Sequence, residues 1–294
     1  MGVNKLKLYA PSTIREIKYK HDFKLSKSLG QNFLTDKNII EKIILAPEIS
    51  KNDLVIEIGP GIGVLTSEAA EKAAKVIAIE IDRSLIPILK ETLKEYDNIE
   101  IINKDILKTD LNELLEQNRE YKGQKIESVK IIGNLPYYIT TPIIMKILED
   151  GVKAESITIM MQREVADRLK SPPGSKTYGA ISVAVQYYCE VNQIVNVPKE
   201  VFIPQPKVDS TVLRLDIRKE KPVVLKDEKV FFQCVKFGFG QRRKTLLNSL
   251  TGVMGASKEE VSIILEKVEI DGRRRAETLS LEEFAKIANE LQGK

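Results

Sequence analysis

The sequence predicts an α/β protein: a doubly wound, Rossmann-like sheet domain followed by a small all-helical domain. Three observations carry this. From about residue 36 to 160, short Ile/Val-rich runs alternate with helix-length stretches, as in parallel sheets whose strands are buried on both faces. A glycine-rich turn, GPGIG (59–63), follows the first of those runs directly. Beyond the charged, proline-containing stretch RKEKPVVLKDE (218–228) the pattern is helical only.

Taken in order, KNIIEKIILAPEI (37–49) has helical spacing and precedes strand-like LVIEIG (54–59). A helix is expected from about Val64 to Ala73, then strand VIAIEI (76–81), helix SLIPILKETLKEY (84–96), strand IEIINKD (99–105) and helix LNELLEQNREY (111–121). VKIIGN (129–134) and SITIMM (156–161) read as the next strands. ISVAVQYY (181–188) has the length and apolarity of a helix, and EVNQIVNV and STVLRLDI read as a terminal strand pair. Helices are expected at 227–237, 241–249, 258–267 and 280–291, with Gly252, Gly255 and Gly272 at the breaks. Ser280 and Glu283 have the spacing of a capping box. The expected division is a basic N-terminal extension over 1–26, the Rossmann-like domain over 27–220 and the helical domain over 221–294.

Composition narrows the chemistry. No apolar run approaches the roughly 18 residues of a membrane span, and the N-terminus lacks the apolar stretch of a secretory signal, so a cytoplasmic protein is expected. Cys189 and Cys234 stand alone in sequence and are expected to be buried thiols, with no metal site. His21 is the only histidine, which disfavours histidine-based catalysis and most zinc sites. Residues 1–27 hold seven Lys/Arg against two acids, a local charge of +5 in a chain whose net charge is +4. A basic arm beside a nearly neutral body suits a polyanion, because each neutralised phosphate releases counterions; a solvated charged tail is the plainer reading.

The glycine turn departs from the dinucleotide pattern G-x-G-x-x-G. Its glycines are 59, 61 and 63, and Val64 occupies the last position. Glu80 ends the second strand about 20 residues on, where a carboxylate accepts hydrogen bonds from both ribose hydroxyls. Asp105 ends the third strand, where it or an adjoining amide can read an adenine edge. A ribose-and-adenine site without a well-made pyrophosphate cradle suits S-adenosylmethionine better than NAD. Glu57, just before the turn, either supports a cationic ligand or orients the loop.

IIGNLPYYITTP (131–142) contains no acid, histidine, cysteine or serine, yet a methyl donor makes it interpretable. An exocyclic amine on a base is a poor nucleophile, because its lone pair is delocalised into the ring. Two acceptors on its hydrogens draw it toward tetrahedral geometry. The Asn134 side-chain oxygen and the Leu135 carbonyl can serve, since Pro136 biases Leu135 to an extended conformation. Tyr137 can stack on a base taken out of its helix, and Tyr138 is expected to pack. The methylated amine is cationic and loses its proton readily, so no strong base is required.

At this point the sequence resembles the ribosomal RNA adenine dimethyltransferases, over nearly its whole length. KSLGQNFL (27–34) is similar to the family's cofactor-access motif, EIGPGIG (57–63) to its glycine turn and IEID (79–82) to its ribose acid. NKD (103–105) and GNLPYY (133–138) match its adenine-binding and catalytic motifs; VFIPQPKVDS (201–210), FGQRRKTLLNSL (239–250) and RAETLSLEEF (275–284) match later signatures. The resemblance implies a Rossmann-like S-adenosylmethionine-dependent methyltransferase domain followed by a small all-helical domain. The implied reaction is dimethylation of two adjacent adenosines near the 3′ end of small-subunit (16S) rRNA, free or in a partly assembled subunit.

Position by position, the resemblance puts Asn32 and Leu34 on the cofactor's methionine side, Gly59 and Gly61 on its backbone contacts, Glu80 on the ribose and Asp105 on the adenine. Asn134 would lie between cofactor and target amine, with Tyr137 on one face of the base and Phe202 on the other. By composition alone Phe202 reads as core. Arg242, Arg243 and Lys244 are implied rRNA-backbone contacts, with a solvated helix face as the plain alternative. Because each adenosine takes two methyls, a monomethylated amine with one hydrogen must also fit, and conformational play at Asn134–Leu135 is expected. The long basic extension departs from short family members.

Competing readings are a large-subunit rRNA adenine methyltransferase of the resistance type and a catalytically silent assembly or transcription factor on the same fold. A DNA methyltransferase lacks a recognisable sequence-reading domain here. A NAD oxidoreductase lacks the third glycine and a hydride-transfer acid/base. Gly59, Gly61, Glu80, Asn134 and Tyr137 are all present, which favours an enzyme. A monomer is expected.

Overall fold

The computed structural model describes residues 6–23, 30–241 and 243–293. The chain divides into two compact units, one formed by 1–166 with 192–217 and the other by 167–191 with 218–294. The chain passes between the units after residues 166, 191 and 217, and the boundary expected near 220 lies close to the third of these crossings. The excursion through 167–191, which puts those residues with the helical unit, was not legible in the periodicity.

In the first unit, α1 (Pro11–Lys20) leads to β1 (Phe33–Leu34), α2 (Lys37–Leu45), β2 (Asp53–Ile58), α3 (Val64–Ala70), β3 (Lys75–Glu80), α4 (Leu85–Thr92) and β4 (Ile99–Asn103). Next come α5 (Leu111–Gln117), the short strands β5 (Glu120–Tyr121) and β6 (Gln124–Lys125), β7 (Ser128–Asn134), α6 (Thr140–Glu149) and β8 (Ser156–Gln162). Helix α7 (Arg163–Leu169) crosses into the second unit, which holds α8 (Ala180–Tyr188); β9 (Cys189–Val197) returns, followed by β10 (Phe202–Ile203) and β11 (Ser210–Ile217).

One sheet has seven strands in the order β4-β3-β2-β7-β8-β11-β9. The pairs from β4 to β8 are parallel and β11 runs antiparallel to β8. All six residues of β2 are buried, as a central strand covered on both faces requires. Helix α2 offers Ile39, Ile40, Ile43 and Ile44 to the core, and Asp36 caps it by accepting from the Ile39 N–H at 3.1 Å.

Two expectations change. The predicted helix over 111–121 stops at Gln117, because Lys122 and Gly123 both take positive φ (49° and 78°) and turn β5 tightly into β6. The N-terminal extension is not simply a charged arm. Its described part forms α1, with proline in the first turn and Ile14 and Ile17 buried on one face. Leu8 and Phe23 join the same core, and the Phe23 ring lies 6.4 Å from that of Phe33. Arg15 and Lys20 face solvent; Lys20 and His21 pair with Glu91.

The second unit continues with α9 (Glu228–Gly240), α10 (Leu246–Leu250), α11 (Lys258–Lys267) and α12 (Leu281–Leu291). The expected capping box is present: Ser280 Oγ accepts from Glu283 N–H at 3.2 Å, and Glu283 Oε2 accepts from Ser280 N–H at 2.9 Å. Phe231 and Phe284 fill its core. Cys189 and Cys234 are buried and form no disulfide. Among the described residues no helix is long and apolar enough to cross a membrane.

Candidate active site

Strand β2 has β3 on one side and β7 on the other, so the chain order reverses between β2 and β7. Open α/β sheets bind ligands at the carboxyl ends of strands beside such a reversal. Here a cavity of about 1080 Å³, counted to its open mouth, is lined by the ends of β2, β3 and β7 and by the residues after β4.

The glycine turn forms its floor. Gly59, Gly61 and Gly63 take φ of 71°, 60° and 91°, a region costly for side-chain-bearing residues. A Cβ on Gly61 would also stand 3.0 Å from the Phe33 ring. Glu80 closes one wall. Its Oε2 accepts from Gly61 N–H at 3.3 Å and its Oε1 from Asp82 N–H at 2.8 Å. Burial pushes this carboxyl up to about 7, against the pull of those two donors. Asp105 caps a short 3₁₀ turn by accepting from Leu107 N–H at 3.0 Å through Oδ1.

Glu57 is buried, and its Oε2 has no hydrogen-bond partner. Burial pushes its carboxyl up to about 8; the nearby Thr66 hydroxyl, outside hydrogen-bond geometry, pulls down and the Glu80 charge adds to the rise. Two buried carboxyls in one cavity suit a ligand that brings hydroxyl donors and positive charge. They do not suit a pyrophosphate.

The opposite wall is the end of β7. Asn134 Nδ2 donates to the Asn32 carbonyl at 3.0 Å, so the side-chain oxygen Oδ1 remains an acceptor directed elsewhere. The Pro136 carbonyl accepts from Ile139 N–H at 3.1 Å and Thr140 Oγ1 at 3.1 Å, fixing the turn into α6. The Tyr137 hydroxyl bonds Ser210 Oγ on β11 at 2.9 Å, which pins the ring by its tip. Tyr138, expected to pack, instead stands 62% exposed at the cavity mouth. It follows the turn, where no element covers it.

A family profile described as "Ribosomal RNA adenine dimethylase" matches residues 22–292. The chain belongs to the ribosomal RNA adenine dimethylase family. It is a methyltransferase. It is 51% identical over 288 residues to a relative from Clostridioides difficile named Ribosomal RNA small subunit methyltransferase A, covering 98% of each chain. A relative of the same name from Alkaliphilus oremlandii is 52% identical over 98% of this chain and 99% of its own. Among solved structures, a dimethyladenosine transferase from Plasmodium falciparum superposes with a TM-score of 0.72 at 26% identity, over 86% of this chain and 95% of that one. The 23S rRNA methyltransferase ErmE superposes with a TM-score of 0.66 at 26% identity, over 88% of this chain and 99% of its own.

Of the residues that the sequence put forward for this adenine dimethylase, Asn32, Leu34, Gly59, Gly61, Glu80, Asp105 and Asn134 through Tyr137 all line the one cavity. Phe202 does not. It is 3% exposed in the hydrophobic core, and its backbone pairs with Leu34. The apolar run around it made core the simpler reading, and the tertiary placement agrees with that. Arg242 lies outside the described residues; Arg243 and Lys244 are exposed in the second unit. Gly30, Gln31 and Phe33 also line the adenine dimethylase cavity. They sit in the GQNFL run already singled out, but nothing in their residue types distinguished wall from spacer.

Proposed function

We propose that the chain transfers methyl groups from S-adenosylmethionine to the N6 amines of two adjacent adenosines near the 3′ end of small-subunit rRNA. The observation that carries this reading is the Asn134 amide. Its nitrogen is committed to the Asn32 carbonyl, so its oxygen is presented as an acceptor in the cavity that also holds Glu80 and Asp105. The names of the relatives at 51–52% identity support the small-subunit assignment.

Glu80 would hold the ribose hydroxyls, Asp105 the adenine edge, and the wall from Asn32 to Leu34 the methionine side. The buried, unpartnered Glu57 oxygen is an acceptor whose ionised form a cationic ligand would favour. When bound there, S-adenosylmethionine supplies an electrophilic methyl group. Asn134 Oδ1 and the Leu135 carbonyl accept from the target amine and localise its lone pair. Tyr137, pinned through Ser210, would stack on the base. Proximity and orientation provide most of the rate, with preorganised acceptors adding the electrostatic part. The basic residues Arg243 and Lys244, with Arg242, would contact the RNA backbone, and one copy of the chain acts alone.

The test is incubation with labelled S-adenosylmethionine and, in parallel, unmethylated small subunits, free small-subunit rRNA, large-subunit rRNA and duplex DNA. Label on small subunits or their rRNA is expected. Label confined to large-subunit rRNA would establish the resistance-type reading instead.

A further inference from the structure

Asp82 is a heavily used side chain just behind the cavity wall, bonded to the lining residues Gln31 and Glu80, and it belongs to none of the roles above. Its Oδ1 accepts from the Ser84 N–H at 2.9 Å and the Ser84 hydroxyl at 2.6 Å. Its Oδ2 accepts from Gln31 Nε2 at 2.7 Å. Its own N–H donates to Glu80 Oε1 at 2.8 Å. Gln31 lies between Gly30, whose added Cβ would meet Pro136 Cβ at 3.2 Å, and Asn32, whose carbonyl holds the Asn134 amide. Hydrogen bonds and one chain segment therefore run around the mouth from Glu80 through Asp82, Gln31 and Asn32 to Asn134. The Gln31–Asp82 contact is the link in that path made by two side chains, and it joins residues 51 positions apart.

We infer that the Gln31–Asp82 hydrogen bond is a latch: it holds the Gly30–Asn32 segment, ahead of the strand-paired Phe33–Leu34, against the end of β3 beside the cofactor cavity, and through Asn32 it sets the orientation of the Asn134 amide. The inference rests on reading the cavity as the S-adenosylmethionine site. Gln31 and Asp82 are positioning residues. Their hydrogen bond is charge-assisted, stronger than a neutral pair and directional. Losing it frees the segment that carries the Asn32 carbonyl, so cofactor retention and turnover fall together while the RNA surface is untouched.

The polarity of the latch can be inverted. Gln31→Glu alone sets two carboxylates face to face. In the Gln31→Glu/Asp82→Asn double variant, the amide introduced on the β3 side donates its N–H to the carboxylate introduced on the loop side, while its oxygen still accepts from Ser84. Cofactor affinity by calorimetry, kcat and the RNA KM are measured for wild type, both single variants and the double. Gln31→Glu is expected to weaken S-adenosylmethionine by about tenfold or more and to lower kcat, with RNA KM within about twofold. The double is expected to recover most of both losses. A double variant no better than Asp82→Asn, or Gln31→Glu with wild-type affinity, overturns the latch. Should Gln31→Glu fail to fold by thermal melting, Asp82→Asn against the double still decides. Failure of the wild type to bind S-adenosylmethionine would overturn the cofactor reading instead.

Discussion

Asn134 Nδ2 donates to the carbonyl of Asn32 at 3.0 Å, across 102 residues of sequence. This bond decides which end of the amide faces the substrate. An acceptor is needed there, and the Asn32 carbonyl can accept only from the nitrogen end, which leaves the oxygen for the target amine.

Replacing Asn134 with Ala therefore removes an acceptor and leaves the Asn32 carbonyl without its partner. Turnover is expected to fall by at least about 10²–10³, with S-adenosylmethionine affinity within about tenfold. Single-turnover methylation and calorimetry separate the two; near-normal turnover would remove Asn134 from catalysis.

The Tyr137 ring and its hydroxyl do separate work. Tyr137→Phe keeps the stacking face but frees the ring from Ser210, and a loss of no more than about tenfold in kcat is expected. Tyr137→Ala removes the face, worth roughly 1–3 kcal/mol by base-stacking precedent, and should cost more. Equal losses in the two variants would show that the hydroxyl, not the face, matters.

Glu57 and Glu80 make the ligand-free protein's stability pH-dependent. Their folded values, about 8 and about 7, lie above the ordinary 4.5. The folded state therefore binds more protons than the unfolded one between these limits, and stability falls as pH rises from about 4.5 to 8. Glu57→Gln should flatten that slope in thermal melts taken at pH 5, 6, 7 and 8. An unchanged slope would exclude Glu57 as its source.

Glu80→Ala should weaken S-adenosylmethionine by roughly 10–100-fold, the worth of hydrogen bonds to a charged group. Calorimetry with an unchanged dissociation constant would take the ribose role from Glu80.

Gly133 is more tightly enclosed than Gly59 of the turn. An added Cβ would stand 2.9 Å from the Ile58 carbonyl, a backbone atom of the neighbouring strand that cannot swing away. A Cβ on Gly59 meets nothing nearer than 3.9 Å, although its φ of 71° carries strain. Gly133→Ala should therefore lower the urea midpoint more than Gly59→Ala.

The sequence by itself determined the sheet domain, the glycine turn, the strand-end acids and the helical C-terminal stretch. Each of these is written in local terms: unbroken Ile/Val runs for doubly buried strands, glycines where φ must be positive, and a Ser280–Glu283 pair three residues apart. It also brought forward the motifs that converge on the cavity, because strand ends at a reversal of strand order meet whatever the loops contain. Only the tertiary structure decided the contacts between distant segments. The Asn32–Asn134 and Gln31–Asp82 bonds, the pinning of Tyr137 by Ser210 and the burial of Phe202 depend on how strands pair and loops cross. The same holds for α1, whose basic surface is prominent in sequence while its apolar stripe, Ile14 and Ile17, is too short to stand out. A hydrogen bond between residues a hundred positions apart leaves no periodicity, since direction and distance exist only once the chain has folded.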